Sequence, residues 1–276
     1  MTPSGPPHAD PPQADPPQAR PPEYPEGHGL LDGRVVVITA AAGAGIGFAA
    51  ARRCVEEGAT VVVSDIHERR LAEAVDALAE VCGTRPLARI CDVTVEDDVR
   101  ALFDAAVEGH GRVDVVLNNA GLGGDSPLVE MDDDEWHRVL DVTLTGTMRC
   151  TRAALRLMVP QGSGVIVNNA SVVGWRAQTG QAHYAAAKAG VMALTRCAAM
   201  EAAGAGVRVN CVAPSLAMHP FLSRTTSQEL LDSLVEDEAF GRAAEPWEVA
   251  NVMVFLASDY SSYMTGEVVS VSSRHP

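Results

Sequence analysis

Tyr184 and Lys188 are the residues of this sequence whose types and spacing best suit proton chemistry. Because they stand four positions apart in an Ala-rich stretch, a helix would place both side chains on one face. A phenol has a reference pKa of about 10, which a neighbouring ammonium lowers, and a shift of roughly three pKa units needs about 4 kcal/mol. Tyr184 is therefore predicted to act as acid/base on a substrate oxygen that Ser171, 13 residues upstream, orients by a hydrogen bond. The alternative is that YxxxK is an ordinary helix face.

A glycine-rich stretch, TAAAGAGIG at Thr39–Gly47, follows a β-branched run and leads into an Ala-rich helix. Such a turn lets the backbone approach a pyrophosphate, and the helix N-terminus presents free N–H groups. The pattern predicts dinucleotide binding. Phe48 takes the third glycine position of GxGxxG, so the general fingerprint is only partly met. A strand-to-helix turn that binds nothing is the alternative.

Asp65 stands twenty positions after Gly45, at the end of the second predicted strand. An acidic side chain there accepts hydrogen bonds from both adenosine ribose hydroxyls, and its charge repels a 2′-phosphate. The sequence therefore predicts NAD rather than NADP, and the positive nicotinamide ring of NAD would add to the ammonium of Lys188 in favouring the phenolate of Tyr184. The alternative is that Asp65 caps the next helix, with Glu68 completing a capping box, and the two roles can coexist.

Short β-branched runs alternate with Ala-rich helical stretches from residue 30 onward, which predicts right-handed βαβ crossovers. The expected fold is a single doubly wound α/β domain of the Rossmann type, with a parallel sheet of about seven strands covered by helices on both faces. Ligands of such sheets bind at the carboxyl ends of the strands. The predicted strands are Arg34–Thr39, Thr60–Ser64, Pro86–Cys91, Val113–Asn118, Gly164–Asn169, Val207–Cys211 and Val268–Val271.

Residues 1–29 form a proline-rich tail that cannot bury a core. Ten of the 17 prolines lie in the first 25 residues, where ADPPQ occurs twice. Proline fixes φ and lacks an amide donor, so we predict a disordered tail, and the NAD-binding domain is predicted to span 30–276. A docking role for the tail is the alternative.

Charge and composition restrict the partners and the compartment. A formal net charge of −15 argues against nucleic acid and against anionic membranes, which favours small-molecule substrates. The six cysteines show no CxxC or CxxH spacing, so neither a metal site nor a disulfide framework is expected. No signal-peptide core and no run of roughly 20 apolar residues is present. A cytoplasmic location is expected.

The combined motifs resemble those of the short-chain dehydrogenase/reductase family, over essentially all of Leu30 to Val271. The gap between Ser171 and Tyr184 is also similar. The resemblance rests on TAAAGAGIG, Asp92-Val93, NNAG at Asn118–Gly121, Ser171, YAAAK, Pro214 and the terminal run FLASDYSSYMTGEVVSV.

The resemblance implies an NAD(H)-dependent oxidoreductase that interconverts an alcohol and a ketone. Asp92 would hold the adenine amino group, Asn119 would line the cofactor cleft, and Lys188 would also bind the nicotinamide ribose. Alternatively, Asp92 caps a helix over Thr94–Gly109, and Asn118 and Asn119 are turn residues. The implied cofactor-binding residues are Thr39, Gly43, Gly45, Ile46, Gly47, Asp65, Asp92, Val93, Asn119, Ala120, Gly121, Tyr184, Lys188 and Pro214.

Several positions depart from the family pattern. Ala40 stands where a glycine usually follows Thr39, and the loop is one residue longer. Thr143 replaces the Asn that normally completes the catalytic set Ser171, Tyr184 and Lys188. A Thr hydroxyl could hold the relay water, or it could bond back to the carbonyl one turn earlier. The stretch after Pro214 and the chain end, without VDGG, are also altered, which indicates a remodelled substrate end.

These departures resemble actinobacterial dehydrogenases of steroid C/D-ring breakdown, whose substrates are indanone acids or coenzyme A thioesters. A 3-oxoacyl thioester reductase is the second interpretation, although Asp65 speaks against the NADPH that such enzymes usually use. A non-catalytic NAD-binding redox sensor or scaffold is a third. By the same resemblance, Val191–Met200 and the helix after Asp132 imply a homo-oligomer, either a dimer or a tetramer.

Overall fold

Seven parallel strands form one sheet in the order β3-β2-β1-β4-β5-β6-β7. The computed structural model describes residues 19–218 and 228–274. The doubly wound α/β fold expected from the sequence is confirmed, and each predicted strand is within three residues of the observed bounds. The strands are β1 Val35–Ile38, β2 Thr60–Asp65, β3 Leu87–Ile90, β4 Val115–Asn118, β5 Gly164–Asn169, β6 Val207–Pro214 and β7 Val268–Val271.

The helices cover both faces of this sheet, because apolar β-branched side chains project from both faces and are removed from water by the helices. Helices α1, α2 and α8 pack on one face, and α3, α5 and α6 pack on the other. A five-residue π-helical turn joins α4 to α5. The bounds are α1 Ile46–Glu56, α2 Glu68–Cys82, α3 Glu96–His110, α4 Asp133–Leu140, π-turn Asp141–Thr145, α5 Gly146–Gln161, α6 Ala182–Ala202, α7 Gln228–Glu236 and α8 Pro246–Ala257, with 3₁₀ turns at Val172–Gly174, Ala203–Ala205 and Asp259–Ser261.

The chain reverses direction across the sheet between β1 and β4. From β1 it winds outward to β2 and β3, and it then returns to β4 on the other side of β1. Loops at the carboxyl ends of strands separate at such a reversal and leave a crevice. Thr39 follows β1 and Asn119 follows β4, so both lie at this crevice.

Residues 19–29 form no helix or strand, yet they lie against the domain. The Tyr24 ring meets Trp247 of α8 edge to face, with centroids 5.4 Å apart, and its hydroxyl donates to Glu56 of α1. Arg53 donates to the carbonyl oxygen of Pro25. The predicted disordered tail therefore includes a segment that contacts α1 and α8. The rest of that tail, 1–18, lies outside the described residues.

Glu57 at the end of α1 is the buried anchor of this segment. Its carboxylate is 1% exposed and pairs with Arg53, 4% exposed, at 2.5 Å between Oε1 and Nη2. The other oxygen accepts the backbone N–H groups of His28 and Leu30 at 2.8 and 3.0 Å. Both ions are thus desolvated and depend on each other.

We predict that Glu57→Ala lowers the free energy of unfolding by about 3 kcal/mol, because it removes the buried partner of Arg53 Nη2 and the acceptor of the His28 and Leu30 N–H groups, while Glu56 still pairs with Nη1. The control is Glu73→Ala, which removes an exposed pair with Arg69 and should change stability by less than about 1 kcal/mol. Urea denaturation followed by circular dichroism measures both variants. Equal losses of stability in the two variants would contradict the role of Glu57 as a buried anchor.

Candidate active site

The residues predicted to do chemistry come together at the carboxyl ends of β4 and β5. Ser171 follows β5, Tyr184 and Lys188 lie in the first two turns of α6, and Thr143 lies in the π-turn. Ser171 has extended backbone, with φ −166°, and its hydroxyl accepts the N–H of Val173 at 3.3 Å. The Ser171 side chain also acts on the Tyr184 phenol, whose pKa it lowers.

Burial controls the ionisation of Tyr184. It raises the pKa of the phenol to about 12, and the hydrogen bond with Ser171 opposes the shift only in part. The ammonium of Lys188 is 5.5 Å from the centre of the Tyr184 ring. Desolvation therefore dominates the pKa of this tyrosine, and the lowering expected from Lys188 together with a positive nicotinamide ring stays a prediction.

Lys188 is the only lysine of the sequence, and it is 3% exposed. Its Nζ donates to the carbonyl oxygen of Asn169 at 2.6 Å. Burial lowers the pKa of this amine to about 8, because a buried ammonium loses hydration. A Cβ on Gly121 would lie 3.3 Å from Nζ, so the loop after β4 passes directly over the amine.

Thr143 is fully buried, and its hydroxyl is bound to the loop after β4. Its Oγ1 accepts the N–H of Leu122 and donates to the carbonyl oxygen of Leu122, both at 2.9 Å. The bond back to the carbonyl one turn earlier, which was the alternative, is not the one observed. A π-turn shifts the register of a helix by one residue, and such turns occur frequently at functional sites. The hydroxyl thus fixes Leu122 and keeps one lone pair for a further donor.

Buried asparagines link the strand ends beneath this site. Asn118 donates to Asn168 Oδ1 at 2.9 Å and to Thr151 Oγ1 at 3.1 Å, and Asn168 donates to Thr195 of α6 at 2.9 Å. Such bonds satisfy polar groups that would otherwise be desolvated without a partner. Asn118 is therefore part of the frame of the site and not a simple turn residue.

Asn119 and Asn169 extend this frame to the glycine-rich loop. Asn169 Nδ2 donates to Asn119 Oδ1 at 2.9 Å, and Asn119 Nδ2 donates to the carbonyl oxygen of Ala40 at 3.0 Å. The hydroxyl of Thr39 accepts the N–H groups of Asn119 and Ala120 at 3.0 and 3.1 Å. The sequence interpretation gave no role to Asn168 or Asn169, although two adjacent amides at the end of an apolar strand were a usable signal.

The glycine-rich loop has the conformation that its sequence predicted. Gly43 has φ +88°, and no atom lies within 4 Å of the position of an added Cβ. A Cβ on Gly47 would lie 2.1 Å from the Ala40 carbonyl oxygen, so only glycine fits there. Ala40 has φ +50°, a left-handed conformation that favours glycine. Helix α1 begins at Ile46, and its N-cap residue, Gly45, supplies no side-chain cap.

Asp65, the last residue of β2, joins this loop. One oxygen accepts the Ala42 N–H at 3.3 Å and the other accepts the His67 N–H at 2.9 Å. Helix α2 begins at Glu68 with His67 as its N-cap, so the capping box considered for Asp65 and Glu68 does not form. Burial raises the pKa of Asp65, and the hydrogen bond from Ala42 opposes the shift.

The remaining predicted contacts also follow strand ends. Asp92, after β3, accepts from the N–H and the hydroxyl of Thr94, and helix α3 begins only at Glu96, so Asp92 forms a turn and does not cap the predicted helix. Val93 packs against Gly146. A Cβ on Gly146 would lie 2.6 Å from Cγ2 of Val93. Pro214 ends β6, and the Ser171 hydroxyl lies 3.5 Å from its carbonyl oxygen.

The chain that carries this site is similar to known proteins along most of its length. A family model described as enoyl-(acyl carrier protein) reductase matches residues 40–273. The "3-oxoacyl-[acyl-carrier-protein] reductase" of Thermotoga maritima is 39% identical over 241 residues, 87% of this chain and 97% of the relative. The chain belongs to the short-chain dehydrogenase/reductase family. Its enzyme class is that of the alcohol dehydrogenases and ketoreductases.

Two mycobacterial proteins are more similar. The "(5R,7aS)-5-hydroxy-7a-methyl-1-oxo-2,3,5,6,7,7a-hexahydro-1H-indene-carboxyl-CoA reductase" of Mycobacterium tuberculosis is 64% identical over 252 residues, 91% of this chain and 96% of the relative. A short chain dehydrogenase from Mycobacterium smegmatis, a solved structure, is 58% identical with a TM-score of 0.83, over 93% of this chain and 99% of that one. The resemblance stated from the sequence motifs is confirmed.

Within residues 19–218 and 228–274, no group of three or more His, Cys, Asp or Glu side chains is placed to hold a metal ion. All six cysteines are free thiols. In the same part of the chain, no helix is long and apolar enough to cross a membrane.

We predict that Lys188 titrates near pH 8, against an ordinary value of 10.5, because its ammonium is desolvated. Labelling with ¹³C-lysine gives a single resonance set, so the Cε shift followed from pH 6 to pH 11 reports this residue alone. The same protein unfolded in guanidinium chloride is the control and should titrate at about 10.4. A folded-state midpoint as high as the unfolded one would contradict the role of burial.

Proposed function

We propose that this protein is an NAD(H)-dependent oxidoreductase that interconverts a secondary alcohol and a ketone on a cyclic, steroid-derived, coenzyme A-linked substrate. The observation that carries the proposal is the convergence of Ser171, Tyr184 and Lys188 at the crevice between β1 and β4. A hydroxyl, a phenol and an amine placed together can orient a substrate oxygen and exchange its proton.

Tyr184 is the proposed acid/base. In the reductive direction its phenolic O–H donates a proton to the substrate oxygen, and in the oxidative direction the phenolate takes that proton back. Ser171 donates a hydrogen bond to the same oxygen. The raised pKa of Tyr184 means that the protein alone keeps the phenol protonated, which suits an acid. Lys188 stabilises the phenolate through its charge.

The residues of the crevice fit a nicotinamide dinucleotide. Open space at Gly43 and the uncapped start of α1 suit a pyrophosphate, and Gly121 keeps the loop over Lys188 free of a side chain. Asp65 would accept the ribose hydroxyls and Asp92 would hold the adenine. When bound, the cofactor supplies the hydride acceptor or donor. The other proposed contacts are Thr39, Gly45, Ile46, Gly47, Val93, Asn119, Ala120, Gly121, Tyr184, Lys188 and Pro214.

Thr143 is proposed to take the place of the usual Asn in the proton relay. Its hydroxyl holds the Leu122 backbone, and Oγ1 and Lys188 Nζ both lie within 4 Å of the position of a Cβ on Gly121. The remaining lone pair of Oγ1 can accept from a water molecule that also contacts the amine.

The substrate class rests on the Mycobacterium tuberculosis relative, whose name describes a bicyclic hydroxy-ketone carried on coenzyme A. The second candidate is a 3-oxoacyl thioester reductase, favoured by the Thermotoga maritima relative. A non-catalytic NAD sensor is less well supported, because a protein without catalysis has no physical need for a reactive Ser-Tyr-Lys set.

Assembly into a homo-oligomer and a cytoplasmic location complete the proposal. Helix α6 carries Met200 with 81% of its surface exposed, and Tyr260 and Tyr263 project from the turn after α8. Large exposed apolar and aromatic side chains of this kind favour burial against another copy of the chain. The proposed assembly is a dimer or a tetramer.

We expect Tyr184→Phe to lower turnover by about a thousandfold, because it removes only the transferable proton, and to leave NADH affinity within about twofold. Tyr260→Phe, at an exposed tyrosine outside the site, is the control and should keep full activity. Steady-state kinetics on a panel of cyclic ketones and alcohols, with calorimetry of NADH binding, measures both. Retention of a tenth of wild-type turnover would exclude Tyr184 as the acid/base.

We expect the protein to bind NADH more tightly than NADPH by about tenfold or more, because a 2′-phosphate would meet the carboxylate of Asp65 as a like charge. Asp65→Asn keeps the shape and one accepting oxygen, which can serve either Ala42 or His67, and it removes the charge, so it should narrow the difference at the loss of one hydrogen bond. Titration calorimetry with both cofactors tests this. Equal affinities in the wild type would mean that Asp65 has only a structural role.

A further inference from the structure

His183, the residue before Tyr184, is fully buried at the start of α6. The first N–H groups of a helix lack partners within it, and Gln181, the N-cap residue here, supplies no side-chain cap. His183 fills this role, since its Nδ1 accepts the N–H of Tyr184 at 2.9 Å. The backbone of the proposed acid/base is thus held by the adjacent imidazole.

The opposite side of the same ring faces α4. Nε2 of His183 lies 3.4 Å from Oε1 of Glu135, but it makes no hydrogen bond to any of the described residues. A neutral imidazole carries one proton, and because Nδ1 accepts, that proton is on Nε2, beside the carboxylate but not hydrogen-bonded to it. Glu135 is itself held by its N–H, which donates to the N-cap residue Asp132 at 2.7 Å.

The loop after β4 closes over this pair. A Cβ on Gly124 would lie 2.7 Å from His183 Nε2 and 3.1 Å from Glu135 Oε1, so the backbone of Gly124 contacts both groups. A Cβ on Gly123 would lie 3.7 Å from the ring of Tyr184. Two neighbouring glycines therefore place one loop against the imidazole and the phenol together.

We propose that His183 is a positioning residue for Tyr184. Its imidazole accepts the Tyr184 N–H in the first turn of α6 and packs against Glu135 and the loop at Gly123–Gly124. The inference rests on the proposed function, because its purpose is to keep the phenol beside Ser171. Loss of this support would shift the Tyr184 phenol relative to the substrate oxygen. A small displacement of a reacting group is enough to lower turnover strongly.

Two substitutions separate positioning from simple space filling. His183→Asn keeps an acceptor in the place of Nδ1, since its Oδ1 is attached at the same distance along the side chain. His183→Leu keeps an apolar volume without an acceptor. We expect His183→Leu to lower kcat by about tenfold to a hundredfold with the KM for NADH within about twofold, and His183→Asn to keep at least about half of kcat.

A control for stability is Val99→Ala, in the core beneath α3 and outside the site. It should lower the melting temperature without changing kcat. If His183→Leu keeps wild-type kcat, or if both His183 variants lose kcat equally, the positioning role is overturned. These measurements use the cyclic ketone that the wild type reduces best.

A second measurement does not depend on activity. Protein labelled with ¹⁵N-histidine shows which ring nitrogen of each of the eight histidines carries the proton, and the signal absent from His183→Asn identifies His183. We expect an unprotonated Nδ1 and a protonated Nε2, with and without NADH. A proton on Nδ1 overturns the inference. If this tautomer is found while the wild type reduces no ketone, the proposed function fails and the geometry stands.

Discussion

Amide and amine groups buried at the carboxyl ends of β4 and β5 must find hydrogen-bond partners, because each buried group left without one costs about 1–3 kcal/mol. Asn118 and Asn168 bind each other and α6, while Asn119 and Asn169 connect to the glycine-rich loop. Lys188 donates a hydrogen bond to the carbonyl oxygen of Asn169. A single set of hydrogen bonds therefore fixes the glycine-rich loop and α6 relative to one another.

The same desolvation determines the charges of the site. Burial raises the pKa of Tyr184 and lowers that of Lys188, so both groups are moved toward their neutral forms. A neutral phenol can give a proton. Because the lowered pKa of Lys188 weakens its hold on its own proton, formation of the phenolate needs more positive charge than this lysine provides. Under the proposed function, an oxidised nicotinamide ring would supply such a charge and would favour the phenolate of Tyr184.

The sequence was sufficient for the sheet and for the placement of Tyr184 and Lys188 together on α6, since β-branched runs and the spacing of these two residues are local signals. It was insufficient wherever the partner is distant in the chain. The bond between Asn119 and Ala40 spans 79 residues, and that between Thr143 and Leu122 spans 21. Proline content indicated disorder for residues 1–29, but the contact of Tyr24 with α1 and α8 depends on surfaces that exist only after folding. For the same reason, the rise that burial causes in the pKa of Tyr184 could not be derived from spacing.

Under the proposed function, in which the substrate is a coenzyme A thioester, the single lysine has a chemical consequence. Uncharged primary amines attack thioesters and acquire the acyl group by aminolysis, whereas a guanidinium stays protonated and does not react in this way. All 20 other basic side chains, histidines aside, are arginines, and Lys188 is 3% exposed. Apart from the chain terminus, the protein therefore has no surface amine that an acyl-coenzyme A substrate could acylate. The amine of its one lysine is buried.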